Sequence, residues 1–171
     1  GPLGASERLK DYLPGPIVAA ESSADPEAPQ YRLAMPERSI GRLCTFLGNF
    51  GMFVRAYTYI RVHGGEGLRE NALHAVLNAN YLRVRLRDSY PVPFDRINMH
   101  EFVCQGRPKG SDVHALDVSK RLMDHGFHPP TNYFPLIVPE ALMIEPTETE
   151  SLETLDAFVA AMKEIADEAL R

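Results

Sequence analysis

Asp124, His125 and His128 gather around Gly126. Imidazole and carboxylate side chains ligate metals, but a closed zinc site takes about four ligands at characteristic spacings, and the neighbouring sequence supplies no others. His100-Glu101 is the next pair. Alternation along a strand sends successive side chains to opposite faces, so these two cannot share a metal; they read as a structural pair, with Glu101 at an interface or beside an arginine. Gly64-Gly65-Glu66-Gly67 precedes a helical stretch, as phosphate cradles do, yet it lacks both the GxGxxG spacing and the P-loop lysine. A helix stop followed by a helix start accounts for it. Cys44 and Cys104 are too far apart for a redox or metal motif, neither has a histidine placed beside it, and no GxSxG elbow occurs. The four lysines sit in an N-terminal arm (Lys10), a loop (Lys109) and two helices (Lys120, Lys163). None has the desolvated setting that a Schiff-base lysine requires. Taken alone, these residues describe an acidic α/β piece with no self-contained active site.

The elements that would position them follow from pattern. Residues 1–40 hold Pro14, Pro16, Pro26, Pro29 and Pro36 and few periodic apolar residues, which predicts an extended arm that buries little. Phe50, Phe53, Val54, Tyr57 and Ile60 recur at helical spacing, and Gly64-Gly65 ends that helix. A second helix is predicted from about Glu66, with Leu73, Leu77, Tyr81 and Val84 as its buried stripe and Arg83, Arg85 and Arg87 at its solvated end. Pro91 and Pro93 close the helical region. Ile97 to Cys104 reads as a strand. Ser111 is the predicted N-cap of a helix with Ala115, Val118 and Leu122 inside and Gly126 just past its end. Tyr133 to Val138 and Ala141 to Ile144 read as two strands joined at Pro139-Glu140. Thr147 with Glu150 has capping-box spacing, and Leu152, Leu155, Phe158, Val159, Met162, Ile165 and Ala169 form the clearest helical stripe in the chain. Strand, helix, two strands and helix make a small α/β (α+β) layer, one sheet with helices on one face. The expected division is an arm over 1–40, a helical segment over 41–90 and the α/β domain over 91–171.

Bulk properties exclude several classes. The 171 residues are 44% hydrophobic with a formal charge of −5, enough for one ordinary core. An acidic chain whose arginines are dispersed does not present the clustered positive charge that nucleic acid needs. No apolar run approaches the roughly 20 residues of a membrane span, and no secretory signal is visible. Two cysteines make no disulfide framework, so a cytoplasmic setting is expected.

Two clusters go further. Gly126-Phe127-His128-Pro129-Pro130-Thr131, with Tyr133-Phe134-Pro135 after it, and Ala141-Leu142-Met143-Ile144-Glu145-Pro146-Thr147-Glu148-Thr149-Glu150-Ser151 resemble the C-terminal region of glycine dehydrogenase (decarboxylating), the P-protein of the glycine cleavage system. The likeness is strongest to subunit 2 of the two-subunit bacterial forms. Ser39-Ile40-Gly41-Arg42, Gly48-Asn49-Phe50, Arg55-Ala56-Tyr57-Thr58-Tyr59-Ile60, Ala75-Val76-Leu77-Asn78-Ala79-Asn80-Tyr81-Leu82 and His100-Glu101-Phe102-Val103 match the same family in the same order, so the resemblance runs from about Leu9 to Glu168. The chain does not begin with Met and reads as a fragment. Gly1-Pro2-Leu3-Gly4 is either the remnant of a cleaved tag or the end of the glycine-rich stretch that precedes Tyr12-Leu13-Pro14-Gly15-Pro16 in the family.

The resemblance implies the C-terminal small domain of a fold type I pyridoxal-phosphate enzyme, preceded by a helical segment from the large domain. It implies an intact enzyme that uses pyridoxal phosphate to decarboxylate glycine and passes the aminomethyl group to the lipoyl arm of the carrier H-protein. The cofactor lysine of the family lies upstream, so this fragment is expected to hold no cofactor and to be inactive alone. Its partners would be subunit 1, the N-terminal part of subunit 2 and the H-protein, in an oligomer of the bacterial cytoplasm. Gly48 and Asn49 fall where this fold type approaches the cofactor of a partner subunit; a helix start is the alternative. Antiparallel neighbours would bring His128 and Thr131 beside Glu145, Thr147 and Glu148 at one sheet edge, as a lip over the substrate and lipoyl entrance with Glu145 or Glu148 orienting His128. Two proline-stiffened turns would look the same. The rivals are a non-catalytic dimerising module and the small domain of another fold type I enzyme; the His128-Pro129-Pro130-Thr131 and Glu145-Pro146-Thr147-Glu148 runs argue against the second.

Overall fold

A computed structural model describes residues 3–22 and 27–171; Gly1, Pro2 and Pro26 lie outside the described residues. The chain forms two compact units, one running to Thr58 and the other from Tyr59 to Arg171. The division falls inside the first long helix.

The first unit is less extended than its prolines predict. After a 3-10 turn over Glu7–Tyr12, β1 (Ile17–Glu21) and β2 (Gln30–Ala34) pair as an antiparallel hairpin, Ile17 opposite Ala34. The Ser39 hydroxyl donates to the Leu13 carbonyl at 2.7 Å and the Ile40 amide to the Tyr12 carbonyl at 3.2 Å, tying the hairpin's two flanks together. As expected, little is buried along these strands.

Helix α1 spans Phe50–Leu86 and carries non-helical backbone at Gly64, with φ 64° and ψ −177°. That left-handed φ is open to glycine at no steric cost, so Gly64-Gly65 breaks the helix as its sequence predicts, and helical hydrogen bonding resumes at once. The predicted stripe of the second half is wrong in phase. Leu73, Leu77 and Val84 are exposed, while Asn78, Ala79, Leu82, Arg83 and Leu86 are buried. The α/β layer needs only the last turns of α1, and those turns present Leu82 and Leu86 to it. Arg83 is not at a solvated end: Asp95 takes up its guanidinium, as a buried charge requires.

The second unit is built on a three-stranded antiparallel sheet in the order β3 (Phe102–Gln105), β5 (Ala141–Ile144), β4 (Thr131–Asn132). Phe102 and Cys104 of β3 meet Leu142 and Ile144 of β5 in the core, with α2 (Ala115–Asp124) and α3 (Leu152–Glu168) packed on each other and on them. Tyr90 is fully buried and donates its hydroxyl to the Met162 carbonyl at 2.8 Å. The Cys104 thiol is pushed up to about 12 by burial, which leaves it unreactive at neutral pH.

Three local expectations shift. Strand β3 starts at Phe102, later than predicted, so strand alternation never applies to His100 and Glu101. Residues 133–138 form turns, not a strand: Tyr133 adopts φ 58°, Pro135 has no amide to donate, and Leu136 and Ile137 stay exposed. On the side away from β3, β5 pairs with the two-residue β4 before it, which is locked to α2 by the buried Ser119 hydroxyl, 2.7 Å from Asn132 Oδ1.

The caps shift as well. Helix α2 is capped at His114, not Ser111, because Glu140 reaches across from the turn before β5. Its Oε2 accepts the Ala115 amide at 2.7 Å and its Oε1 lies 3.1 Å from His114 Nδ1. The amide bond first, and then His114 and Arg107, hold the Glu140 carboxyl below the usual carboxylate range despite partial burial. Past the helix end, Gly126 takes φ 82°. Its amide donates to Met123 at 2.9 Å and that of Phe127 to Leu122 at 3.0 Å, the paired bonds of a Schellman ending. Helix α3 is capped by Ser151, whose hydroxyl accepts the Thr154 amide at 3.1 Å, rather than by Thr147. Leu155, Val159, Met162 and Ile165 are buried along α3 as its stripe predicts, but Leu152 is exposed and Phe158 only half-buried.

Phe50, Phe53, Val54 and Tyr57 all lie exposed, Phe50 at 78%. Contiguous apolar surface beyond a few hundred Å2 marks an interaction face. Light scattering at rising concentration is expected to show self-association of the purified chain; a monomer at all concentrations would contradict it.

Candidate functional site: a cleft at the sheet edge

The register of the sheet creates one edge where chemistry can gather. Thr131 pairs with Met143 and Asn132 with Leu142, so the chain entering β4 and the chain leaving β5 lie side by side. A cleft of about 390 Å3 opens there. His128, Pro129, Pro130 and Thr131 form one rim, and Glu145, Pro146 and Thr147 the other. The floor is apolar: Leu82, Phe127, Ile144, Leu155 and Phe158. Phe127 and Phe158 stack edge to face with centroids 5.3 Å apart, a geometry that aromatic rings favour. The Schellman ending of α2 aims Phe127 into this floor, so the turn at Gly126 both stops a helix and shapes the cleft.

Four of the five predicted lining residues, His128, Thr131, Glu145 and Thr147, are on the cleft. Glu148 is not. It turns to the other side of the same segment, where its carboxylate accepts the Tyr59 hydroxyl at 3.3 Å. The expected orienting pair does not form. Glu145 Oε1 lies 3.8 Å from His100 Nε2, and among the described residues the His128 ring makes no hydrogen bond or ion pair. His128 is therefore an exposed imidazole on a cleft rim with an unengaged ring, next to an apolar floor. His100 also lies 4.0 Å from Glu101, so the pair predicted to face apart is close.

Gly48 and Asn49 belong to the first unit. Gly48 has φ 110°, and a side chain there would run into the Phe53 ring. The Asn49 carbonyl accepts the amides of Met52 at 3.0 Å and Phe53 at 3.2 Å, so the pair starts α1. Among the described residues, no group of three or more His, Cys, Asp or Glu side chains could hold a metal, and no helix is long and apolar enough to cross a membrane.

The lysines do not fit covalent cofactor attachment. Lys10 pairs with Glu7 on the surface, Lys109 donates to the Arg87 carbonyl at 2.9 Å, and Lys120 and Lys163 are exposed on α2 and α3.

Sequence patterns missed the floor and the supports of this site. The helical spacing of Phe158 reads as core, and Phe127 carries no local signal except its place after a helix-ending glycine. His100 and Tyr59 reach the Glu145–Glu148 segment only through tertiary structure.

Residues 71–171 match the family model described as glycine dehydrogenase, C-terminal domain. A probable glycine dehydrogenase (decarboxylating) subunit 2 of Chlorobium phaeobacteroides is 53% identical over 171 residues, covering 99% of this chain and 35% of that protein. One of the same description from Listeria innocua is 52% identical over 170 residues, covering 99% of this chain and 34% of that protein. The chain thus spans about a third of the length of these relatives. The crystal structure of a glycine decarboxylase (P-protein) of the glycine cleavage system, in inhibitor-bound form, superposes with a TM-score of 0.69 at 23% identity, over 93% of this chain and 37% of that one. It shares the fold, a mixture of helices and small antiparallel sheets. The chain therefore belongs to the glycine dehydrogenase C-terminal domain family.

Proposed function

We propose that this chain is the C-terminal part of subunit 2 of a bacterial, cytoplasmic glycine-decarboxylating dehydrogenase, and that its cleft is a lip over the substrate and lipoyl entrance of the whole enzyme. The observation that carries this is the convergence of His128 and Thr131 with Glu145 and Thr147 around an apolar floor. An exposed imidazole with no internal partner is free to meet a substrate or a carrier arm, and an apolar floor gives such an arm a surface to pack on. Glu148, on the far side of the segment, acts on Glu145 and Thr147 through the backbone rather than on the substrate. Residues 41–90 extend the large domain and 91–171 form the small one. Gly48 and Asn49 approach the cofactor of a partner subunit, where the amides of a helix start suit a phosphate.

Pyridoxal phosphate supplies the decarboxylation chemistry in the intact enzyme, as an electron sink. No lysine of this chain fits its attachment, so the chemistry belongs to the remaining two-thirds of the protein and the chain is inactive alone. The other subunit and the lipoyl carrier protein are its partners.

The test is exchange of the glycine carboxyl group with labelled bicarbonate. The whole protein is expected to catalyse it, while the 171-residue chain alone does not and develops no stoichiometric visible band with pyridoxal phosphate. Exchange by the chain alone, or a stoichiometric band lost on changing one of the four lysines, would overturn the assignment.

A further inference from the structure

The Asn78-Ala79-Asn80 stretch of α1 lines no wall of the cleft, yet Asn78 bonds a segment that forms its rim and Asn80 a segment that leads to His100. Asn78 is 9% exposed. Its Nδ2 donates to the Thr147 carbonyl at 2.9 Å and more weakly to the Glu150 carbonyl at 3.5 Å. Those carbonyls belong to the irregular segment between β5 and α3 that supplies one rim of the cleft. Asn80 holds a second segment. Its Nδ2 lies 2.7 Å from the Asn98 carbonyl and its Oδ1 accepts the Asn98 amide at 3.0 Å, the donor and acceptor pairing of a neighbouring strand. Two residues beyond Asn98, the His100 ring stands 3.8 Å from Glu145.

A buried amide costs free energy unless it is bonded, and an apolar side chain of similar size would serve simple packing better. Asn78 instead spends its donor on the backbone of the rim segment, and the half-buried Asn80 divides its donor between the Val76 carbonyl of its own helix, 2.8 Å away, and the segment that leads to His100. We propose that Asn78 and Asn80 are positioning residues for the cleft: Asn78 fixes the Glu145–Thr147 rim, and Asn80 fixes His100 behind it, so that the half-exposed Glu145 is held beside His100 at the cleft edge. This rests on the cleft being the substrate lip of the whole enzyme. Besides the buried Pro146 and the Tyr59 hydroxyl on Glu148, the rim segment has few polar ties of its own. Thr147 Oγ1 bonds only locally, to Thr149 Oγ1 at 2.7 Å, and the Glu150 amide reaches back to Thr147 at 3.3 Å.

The test is a pair of double-mutant cycles in the whole enzyme, read by glycine–bicarbonate exchange with melting temperature followed in parallel. Asn78→Ala is expected to lower kcat/KM for glycine roughly tenfold in the native background and to have no further effect once Glu145→Ala is present. Asn80→Ala should behave in the same way against His100→Ala, and it keeps the inference testable if Asn78→Ala fails to fold. A purely structural role would lower the melting temperature and leave the effects on exchange additive; that result overturns the inference alone. If Glu145→Ala and His128→Ala both leave exchange untouched, the cleft assignment fails and the inference with it.

Discussion

Met162→Ala is expected to lower the unfolding free energy by about 2–5 kcal/mol, against a total of roughly 5–15 kcal/mol for a domain. Met162 is fully buried on α3, in the same core as Phe102, Leu122 and Leu142, and its carbonyl carries the Tyr90 hydroxyl. Truncation removes the side chain that α3 presents to the sheet and leaves a cavity that the two helices can close only in part. Phe158→Ala, one turn earlier, should cost less, because Phe158 is half-buried and its outer face lines an open cleft. Urea unfolding of the two variants checks both size and order. A Met162→Ala cost below about 1 kcal/mol, or a larger loss for Phe158→Ala, would mean that α3 is not docked as described.

That ordering shows what the sequence could tell. The α3 stripe has a 3.6-residue period sustained over four turns, so Leu155, Val159, Met162 and Ile165 were legible from spacing alone. Phe158 shares the spacing, and only the cleft distinguishes it from its neighbours. The end of α2 was legible because Gly126 satisfies a local backbone demand. Its start was legible only in part: Asp117 accepts the His114 amide locally at 3.0 Å, but the Ala115 amide is taken by Glu140 from a distant turn. Ser111 and Thr147 have the right composition for caps, but His114 takes the first role with help from the distant Glu140, and Ser151 takes the second through a local bond to the Thr154 amide. Tyr133 to Val138 looks like a strand by residue type, but Pro135 and the left-handed backbone at Tyr133 place pairing at Thr131–Asn132 instead.

Errors of phase had a single cause. Leu73, Leu77 and Val84 lie on the face that an amphipathic helix would normally bury. In the second unit the buried face of α1 contains Asn78 and Arg83, each held by a partner that sequence cannot locate: the Thr147 carbonyl and Asp95. The candidate site was legible in part for a different reason. Antiparallel pairing fixes which chain ends meet, so His128 and Thr131 reach Glu145 and Thr147 even though the strand itself is displaced by a few residues. Side-chain partners carry no such topological guarantee, and Glu145 faces His100 rather than His128.

The second large effect concerns His128. The ring is exposed on the cleft rim and makes no bond among the described residues, so His128→Ala removes nothing that holds the fold together. Its cost in stability should be well under about 1 kcal/mol, as for other surface positions. Thr131→Val should be equally mild, since Thr131 contributes to the sheet through its backbone pairing with Met143.

The decisive measurement is glycine–bicarbonate exchange by the whole enzyme carrying His128→Ala, with the urea midpoint of the variant chain recorded beside it. Placing a substrate or carrier arm wrongly by about an ångström costs on the order of a hundredfold in rate, so exchange is expected to fall by roughly tenfold or more while the midpoint stays within error of the native value. Undiminished exchange, or a variant that unfolds, would show that the turn at His128 is structural and that the cleft is not the lip of the glycine site.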